Sequence, residues 1–450
     1  MNNNSNQQSH FYHIYPLGFC GAPGRNDFFS PPVNRFREIT AWIPQMQKLG
    51  INALYLGPVF ESSSHGYDTA DYYWPDRRLG SKEDFTTLCQ ALKQAGIQTV
   101  VDGVFHHVGR DFWAFRDVKE NKQNSAYIDW FQNVDFSGNS PHNDGFSYGN
   151  WEGHWELAKL NLQNPDVINH LLGAVESWIR DFDIEGIRLD VAYLLNRAFL
   201  QKLSRFTKAI KPDFFLLGEV IHGDYNEFFH CGLDAVTNYE AYKGLYSAHN
   251  DRNLFEAAHS LERQFGHRGL YQNKRLYNFV DNHDVNRIAS MLSDPADLHT
   301  THILLYTMPG IPAIYYGSEW ALTGRRDAHS DHQLRPSAQE IKREPKNHEL
   351  ENTIIRLADL KKQWSALQWG GYENLVVKST QFAFKRFTAD QEIIIAINIE
   401  SDAKTLAIAT KSQTNGTYRD ILNPGHEFRS IQGTLRLPVD GHWGRIMVKI

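Results

Sequence analysis

Three features of this 450-residue chain predict an α/β fold: a closed (β/α)8 TIM barrel with a small inserted domain after strand 3 and a C-terminal antiparallel β-sandwich domain. Eight short, apolar, β-rich segments recur before residue 320. Amphipathic stretches with helical spacing separate them. After about residue 365 the pattern changes to short strands with no helical period between them.

The eight segments are FYHIYP (11–16), NALYLGPVF (52–60), TVVDGVF (99–105), GIRLDVA (186–192), FFLLGEVI (214–221), AVTNYE (235–240), LYNFVDNHD (276–284) and AIYYGSE (313–319). Most are near-continuous apolar runs, as expected of parallel strands covered on both faces. ITAWIPQMQKLG reads as a helix stopped at Gly50, and SKEDFTTLCQALKQAG as a helix capped by Ser81 with Asp84 in its first turn. An open doubly wound sheet is the competing architecture, but no Gly-rich phosphate fingerprint follows any strand. Roughly 80 residues separate the third and fourth segments, more than a crossover helix needs. The expected division is therefore a barrel of residues 1–107 and 169–364, an inserted domain of 108–168 rich in Asn, Gly, Trp and Phe, and a C-terminal domain of 365–450. In the last, NLVVKS, FAFKRF, EIIIAINI, TLAIAT and GRIMVKI are the expected strands.

Composition narrows the function. Hydrophobic residues make up 41% and charged residues 22%, enough for a sizeable core, and a net charge of −6 argues against a nucleic-acid partner. No apolar run approaches the length of a membrane span. Cys20, Cys89 and Cys231 are widely spaced and form no CxxC, so reduced thiols are expected rather than disulfides or a zinc site. The polar start MNNNSNQQSH lacks the pattern of a signal peptide, and a cytoplasmic location follows as an expectation. Aromatics reach 13%, which suits either a large core or stacking against sugars or bases.

Functional side chains of a barrel gather at the C-terminal ends of its strands. Those ends carry Asp102, His106 and His107 on the third, Arg188 and Asp190 on the fourth, Glu219 on the fifth, and His283 and Asp284 on the seventh. One acid at a strand end is commonly a helix cap or a surface group. Several within apolar strands are costly to bury unless paired or used. Arg188 and Asp190 lie two apart and share a strand face, so the guanidinium is expected to hold Asp190 ionised. Carboxyls with opposed protonation states suit retaining glycoside hydrolysis. The neighbouring His106 and His107 should project from opposite sides of a strand, a poor arrangement for one metal, and no metal ligands are expected.

With these residues in place the sequence resembles the α-amylase family of glycoside hydrolases. The resemblance rests on VVDGVFHH, GIRLDVA, GEV and FVDNHD, with HGYDTADYY (65–73), LGSKEDF (79–85) and MPGIPAIYYGSE (308–319). It implies that Asp190 is the nucleophile, Glu219 the acid and base, and Asp284 the third carboxylate that grips the distorted sugar. It implies that Tyr67 stacks under the sugar and that His65, Asp68, His107, Arg188, His222 and His283 also contact substrate. LAKLNLQNP (157–165) is closest in type to the neopullulanase and cyclomaltodextrinase group. The implied activity is hydrolysis of α-1,4-linked maltooligosaccharides or cyclomaltodextrins; a transglycosylase using the same intermediate is the alternative. A non-catalytic protein is disfavoured by the presence of all three carboxylates. The chain leaves no room before FYHIYP for the N-terminal domain typical of that group, so a homodimer is left open. His106 stands where the family usually has an Asn that binds a structural calcium, and imidazole is a poor ligand for that cation, so no cofactor is expected and a structural calcium, though open, is disfavoured.

Overall fold

The computed structural model describes residues 10–327, 330–410 and 415–450; the polar N-terminal stretch 1–9 lies outside it. All eight expected segments form strands: β1 (Phe11–Ile14), β2 (Ala53–Leu56), β3 (Gln98–Gly103), β4 (Gly186–Leu189), β5 (Phe215–Gly218), β6 (Ala235–Thr237), β7 (Leu276–Asn278) and β8 (Ile311–Tyr315). They pair in parallel, each with its sequence neighbours, and β1 pairs with β8 to close the barrel.

Side chains alternate along each strand. Phe11, Ala53, Tyr55, Val100, Phe215, Leu217, Tyr277, Ile311 and Ala313 fill the barrel interior as one buried cluster. The same inward face continues upward as polar residues. Val100 is followed two residues later by Asp102, Gly186 by Arg188, and Leu217 by Glu219, and the register sets Asp102 beside Arg188 and Arg188 beside Leu217. The apolar core and the polar site are thus successive layers of one inward-facing set.

The helix Lys82–Gln94 is capped as its sequence implies: the Ser81 hydroxyl accepts from the Asp84 N–H, and the Asp84 carboxylate accepts from the Ser81 N–H. The stretch expected as one helix before Gly50 is two, Phe36–Thr40 and Ile43–Lys48, with Pro44 at the start of the second. Pro has no N–H to continue the first.

The inserted segment forms a three-stranded antiparallel sheet of His107–Gly109, Asn150–Trp151 and His154–Lys159. It begins at His107, and the next barrel helix, Pro165–Phe182, is capped by Asn164, so the expected end at 168 falls inside that helix. Gly109 lets this sheet approach the loop after β2: a Cβ there would stand 2.4 Å from the Asp68 carbonyl oxygen.

The described residues of the C-terminal region form eight antiparallel strands in one sheet: β9 (Gly371–Val377), β10 (Gln381–Phe387), β11 (Glu392–Asn398), β12 (Lys404–Ala409), β13 (Thr417–Asp420), β14 (Glu427–Ile431), β15 (Thr434–Val439) and β16 (Trp443–Lys449). The sheet folds over, so that Ile394 and Ala396 of β11 and Met447 of β16 share a core with Leu406 and Ile408 of β12 and Leu435 and Leu437 of β15. A helix, Ser365–Trp369, spans the expected boundary before the first strand. The three cysteines are free and buried, and among the described residues no helix is long and apolar enough to cross a membrane.

Candidate active site

The strand ends converge on Arg188. Its Nη1 lies 2.9 Å from Asp102 Oδ1 and 2.9 Å from Asp190 Oδ1, and its Nη2 lies 2.8 Å from Glu219 Oε1. All four side chains are buried. The opposite oxygen of Glu219 accepts from the Val191 N–H at 2.8 Å. Val191, next to Asp190, adopts φ 40° and ψ 44°, a left-handed conformation that is costly for a β-branched residue.

The expectation that Arg188 holds Asp190 ionised needs correction, because one guanidinium serves three carboxylates. Burial raises the carboxyl pKa of Asp190 well above its usual range despite Arg188, with Glu219 adding to the rise. Burial also raises Glu219, against Arg188 and with the charge of Asp284 contributing. The two carboxyls titrate as a pair and retain a proton between them.

Asp284 is held differently. Burial opposes its ionisation, but His283, at 3.0 Å, and Arg335, also at 3.0 Å, outweigh that and keep it well below the usual carboxylate range. With about 35% of its side chain exposed, it is the most open of the three acids. Arg335 also donates to the His283 carbonyl and lies over the Tyr15 ring. The other acid of FVDNHD is structural: buried Asp281 accepts from the Ile288 N–H and the Ser318 hydroxyl.

Three ring nitrogens here are buried without a hydrogen-bond partner among the described residues: His13 Nε2, His107 Nε2 and His283 Nδ1. Native buried polar atoms nearly always have partners, and hydroxyls of a bound ligand would supply them. His107 Nε2 stands 4.0 Å from Asp190 Oδ2. Burial, followed by His106 and His65, pushes its pKa well down, so its ring is neutral.

Tyr67 stacks on His283, with ring centroids 5.6 Å apart, and its hydroxyl donates to Asp102 at 3.2 Å. His65 is half-buried beside it, its Nδ1 accepting from the Tyr67 N–H. Asp68 is buried beside them. Its carboxylate accepts from the Ser64 hydroxyl and the Gly66 N–H, folding the loop that carries Tyr67. His222 is exposed, 5.4 Å from the ring of Tyr193.

Sequence reasoning missed Tyr55, His13, Tyr239, Asn282 and Arg335. Tyr55 donates to Asp102 at 2.7 Å and His13 stacks on Tyr55; both sit inside apolar strands and read as core. Tyr239 reaches Glu219 Oε1 at 3.5 Å and accepts from Asn282. Arg335 lies outside every strand and no local pattern marks it.

The two neighbouring histidines also depart from expectation. Their Nδ1 atoms are 3.2 Å apart rather than on opposite sides, because the chain leaves β3 before them and enters the inserted sheet at His107. A cavity of about 160 Å³ beside His106 is lined by Gln132, Lys159, Gln163 and Asn196 and by no carboxylate. Its amide oxygens are of a type that hard cations accept, but the Lys159 ammonium stands among them with no carboxylate to offset it.

The alpha-amylase catalytic domain family matches residues 13–374. Among curated relatives, the cyclomaltodextrinase of Thermoanaerobacter pseudethanolicus is 29% identical over 90% of this chain and 69% of its own length. The intracellular maltogenic amylase of Bacillus subtilis is 31% identical over 83% and 62%. The chain thus spans about two thirds of the length of these relatives. Among solved structures, an Anoxybacillus α-amylase is similar at TM-score 0.82 and 26% identity, with 98% of each chain covered. A debranching enzyme from Nostoc punctiforme is similar at TM-score 0.82, 28% identity and 98% coverage of each. The matched domain takes in the barrel from within β1 onward and every carboxylate of the mouth, and the chain belongs to the α-amylase family of glycoside hydrolases.

Proposed function

We propose that this chain hydrolyses α-1,4-glucosidic bonds of maltooligosaccharides or cyclomaltodextrins with retention, through a covalent glycosyl-enzyme. The observation that carries this reading is the sharing of Arg188 by Asp190 and Glu219 beneath an ionised Asp284. Retaining glycosidases hold their two carboxyls about 5–5.5 Å apart, and one planar guanidinium touching both favours such a short separation. With the shared proton on Glu219, the Asp190 carboxylate attacks the anomeric carbon while Glu219 gives that proton to the departing oxygen; water then attacks the same carbon, giving a proton to Glu219 and releasing the Asp190 carboxylate. Both Glu219 oxygens accept hydrogen bonds in the ligand-free arrangement, so substrate entry must free one of them. His13, His107 and His283 take sugar hydroxyls, Tyr67 stacks under the ring, and His65, Asp68 and His222 support the loops around it.

The substrate class follows the names of the relatives, cyclomaltodextrinase and maltogenic amylase. An intracellular setting is in keeping with the second of these names. The reading includes no calcium beside His106, since Lys159 and amides surround that imidazole. Activity and melting temperature should stay unchanged under a strong chelator; a sharp loss of either refutes this part.

The decisive experiment is product analysis on maltotriose, cyclomaltodextrins, pullulan and a branched glucan, with anomeric configuration followed by NMR. Retained α-configured products are expected, and an inverted product refutes the mechanism. Longer oligosaccharides accumulating in place of glucose and maltose would assign the chain to transglycosylation instead.

A further inference from the structure

We propose that the cavity at the N-terminal end of the barrel, opposite the active-site mouth, is a second binding site, for a phosphate-bearing small molecule. The cavity measures about 750 Å³, within the range of about 300–1,000 Å³ usual for small-molecule sites. His10 before β1, Asn52 before β2, Lys274 and Arg275 before β7 and Gly310 before β8 place it at that end. The C-terminal region supplies Arg386 of β10, and the preceding helical segment supplies Lys361, Lys362 and Trp369.

The charge of its wall is the first argument. Lys274, Arg275, Lys361, Lys362 and Arg386 line it, and no Asp or Glu does. This occurs in a chain of net charge −6, so it does not reflect a generally basic surface. Among the described residues Lys274, Lys361, Lys362 and Arg386 form no ion pair with a side-chain carboxylate. None of the residues outside the description is an Asp or Glu that could supply one.

The second argument is burial. Arg386 is fully buried, and among the described residues its guanidinium donates only to the carbonyls of Thr307, Leu367, Gly370 and Gly371. The Lys361 ammonium donates to the carbonyls of Tyr306 and Leu367. Two cations share the Leu367 carbonyl with no counter-ion between them. Burial, with Arg386 adding repulsion, pushes Lys361 well below the usual lysine range. Buried unpaired charge is costly, and the N-terminal face of a barrel ordinarily serves stability alone; an anion in the cavity would relieve the cost. By donor count, Lys361 and Arg386 each keep one N–H unused. A phosphate group has oxygens for both. Trp369, 56% exposed at the rim, and the unpartnered Gln368 Oε1 suit a sugar body attached to that phosphate.

The test is calorimetric titration of the full chain at fixed ionic strength with inorganic phosphate, glucose 1-phosphate and glucose, repeated on the double variant Lys274→Ala/Lys362→Ala. Lys362 is exposed and Lys274 is half-buried over the Phe229 ring; a thermal melt of the double variant checks that its fold is kept. The phosphate compounds should bind and glucose should not. The double variant should weaken binding by about tenfold or more, since each lost charge-assisted hydrogen bond carries at least that factor. Tighter binding of glucose 1-phosphate than of phosphate identifies a phosphorylated sugar as occupant; equal binding identifies free phosphate. No binding of either compound at millimolar concentration, or equal binding by parent and double variant, overturns the proposal. Lys361→Met, with folding checked by circular dichroism, should abolish binding, and its unaltered affinity would also overturn it.

Discussion

Arg188 places three carboxylates around one positive charge, and burial raises two of them, Asp190 and Glu219, above the usual carboxylate range. Removing an acid should therefore separate catalysis from stability. Glu219→Gln should lower kcat by about 10²–10⁴, the usual contribution of a positioned acid or base. It should melt no lower than the parent, because burial already disfavours the charged form. Kinetics and a thermal melt on the same preparation check this, and near-normal turnover would remove Glu219 from its role. Arg335 acts on Asp284 and does not reach the carboxyl pair. Arg335→Lys loses the fork that joins the Asp284 carboxylate to the His283 carbonyl. Hydrogen bonds to charged groups are worth about 1.5–3 kcal/mol, so kcat/KM should fall roughly ten- to a hundredfold. An unchanged melting curve would locate the loss in positioning.

At the scale of elements, the loops and caps that carry the site can be tested one at a time. Ser81 closes both hydrogen bonds of the capping box on the helix Lys82–Gln94. Ser81→Ala should cost about 1 kcal/mol of stability by urea unfolding, with kinetics unchanged because the helix packs outside the barrel. Gly109 brings the inserted sheet against the loop that holds Tyr67, with no space for a Cβ beside the Asp68 carbonyl. Gly109→Ala should push that loop away, raising KM more than it lowers kcat. A KM equal to the parent's would show that the loop tolerates the added methyl.

At the scale of the whole molecule, buried histidines set the acid limit. His10 is lowered from 6.5 to about 3, and His106 and His302 to about 4, all by burial. The unfolded chain protonates these rings as pH falls below about 6.5, while the fold keeps them neutral. Their contribution is full above that pH and is lost on acidification, by up to about 1.4 kcal/mol per ring per pH unit. Glu319, raised to about 7 by burial, acts in the opposite sense between 4.5 and 7, and burial raises Asp71, Glu185, Asp190, Glu219 and Asp281 as well, but the histidines that burial lowers outnumber these acids. The urea midpoint should therefore fall from pH 7 to pH 5, and a midpoint that rises over this interval would contradict the assignment.

Much of the architecture was legible because strand and helix patterns are local. The eight barrel segments, the Ser81 cap and the carboxylates at strand ends each declare themselves within a few residues. Strands β13 and β14 did not, because they are short and largely polar; β15, TLRLPV, alternates as regularly as β12 and was overlooked. Nor did the two halves of the first helix, where Pro44 mattered more than the apolar period.

The order of the strands, their inward-facing sets and the acids at their tips are thus consequences of the sequence alone, since periodicity and β propensity act between near neighbours. Which charges meet was decided by the closed barrel. Arg188 is separated by 86 positions from Asp102 and by 31 from Glu219, and only the parallel register brings all three to one height. The same closure carries Arg335 to Asp284 and gathers unpaired cations at the opposite end of the barrel, because electrostatic partners are chosen by distance in space, which no stretch of the chain encodes by itself.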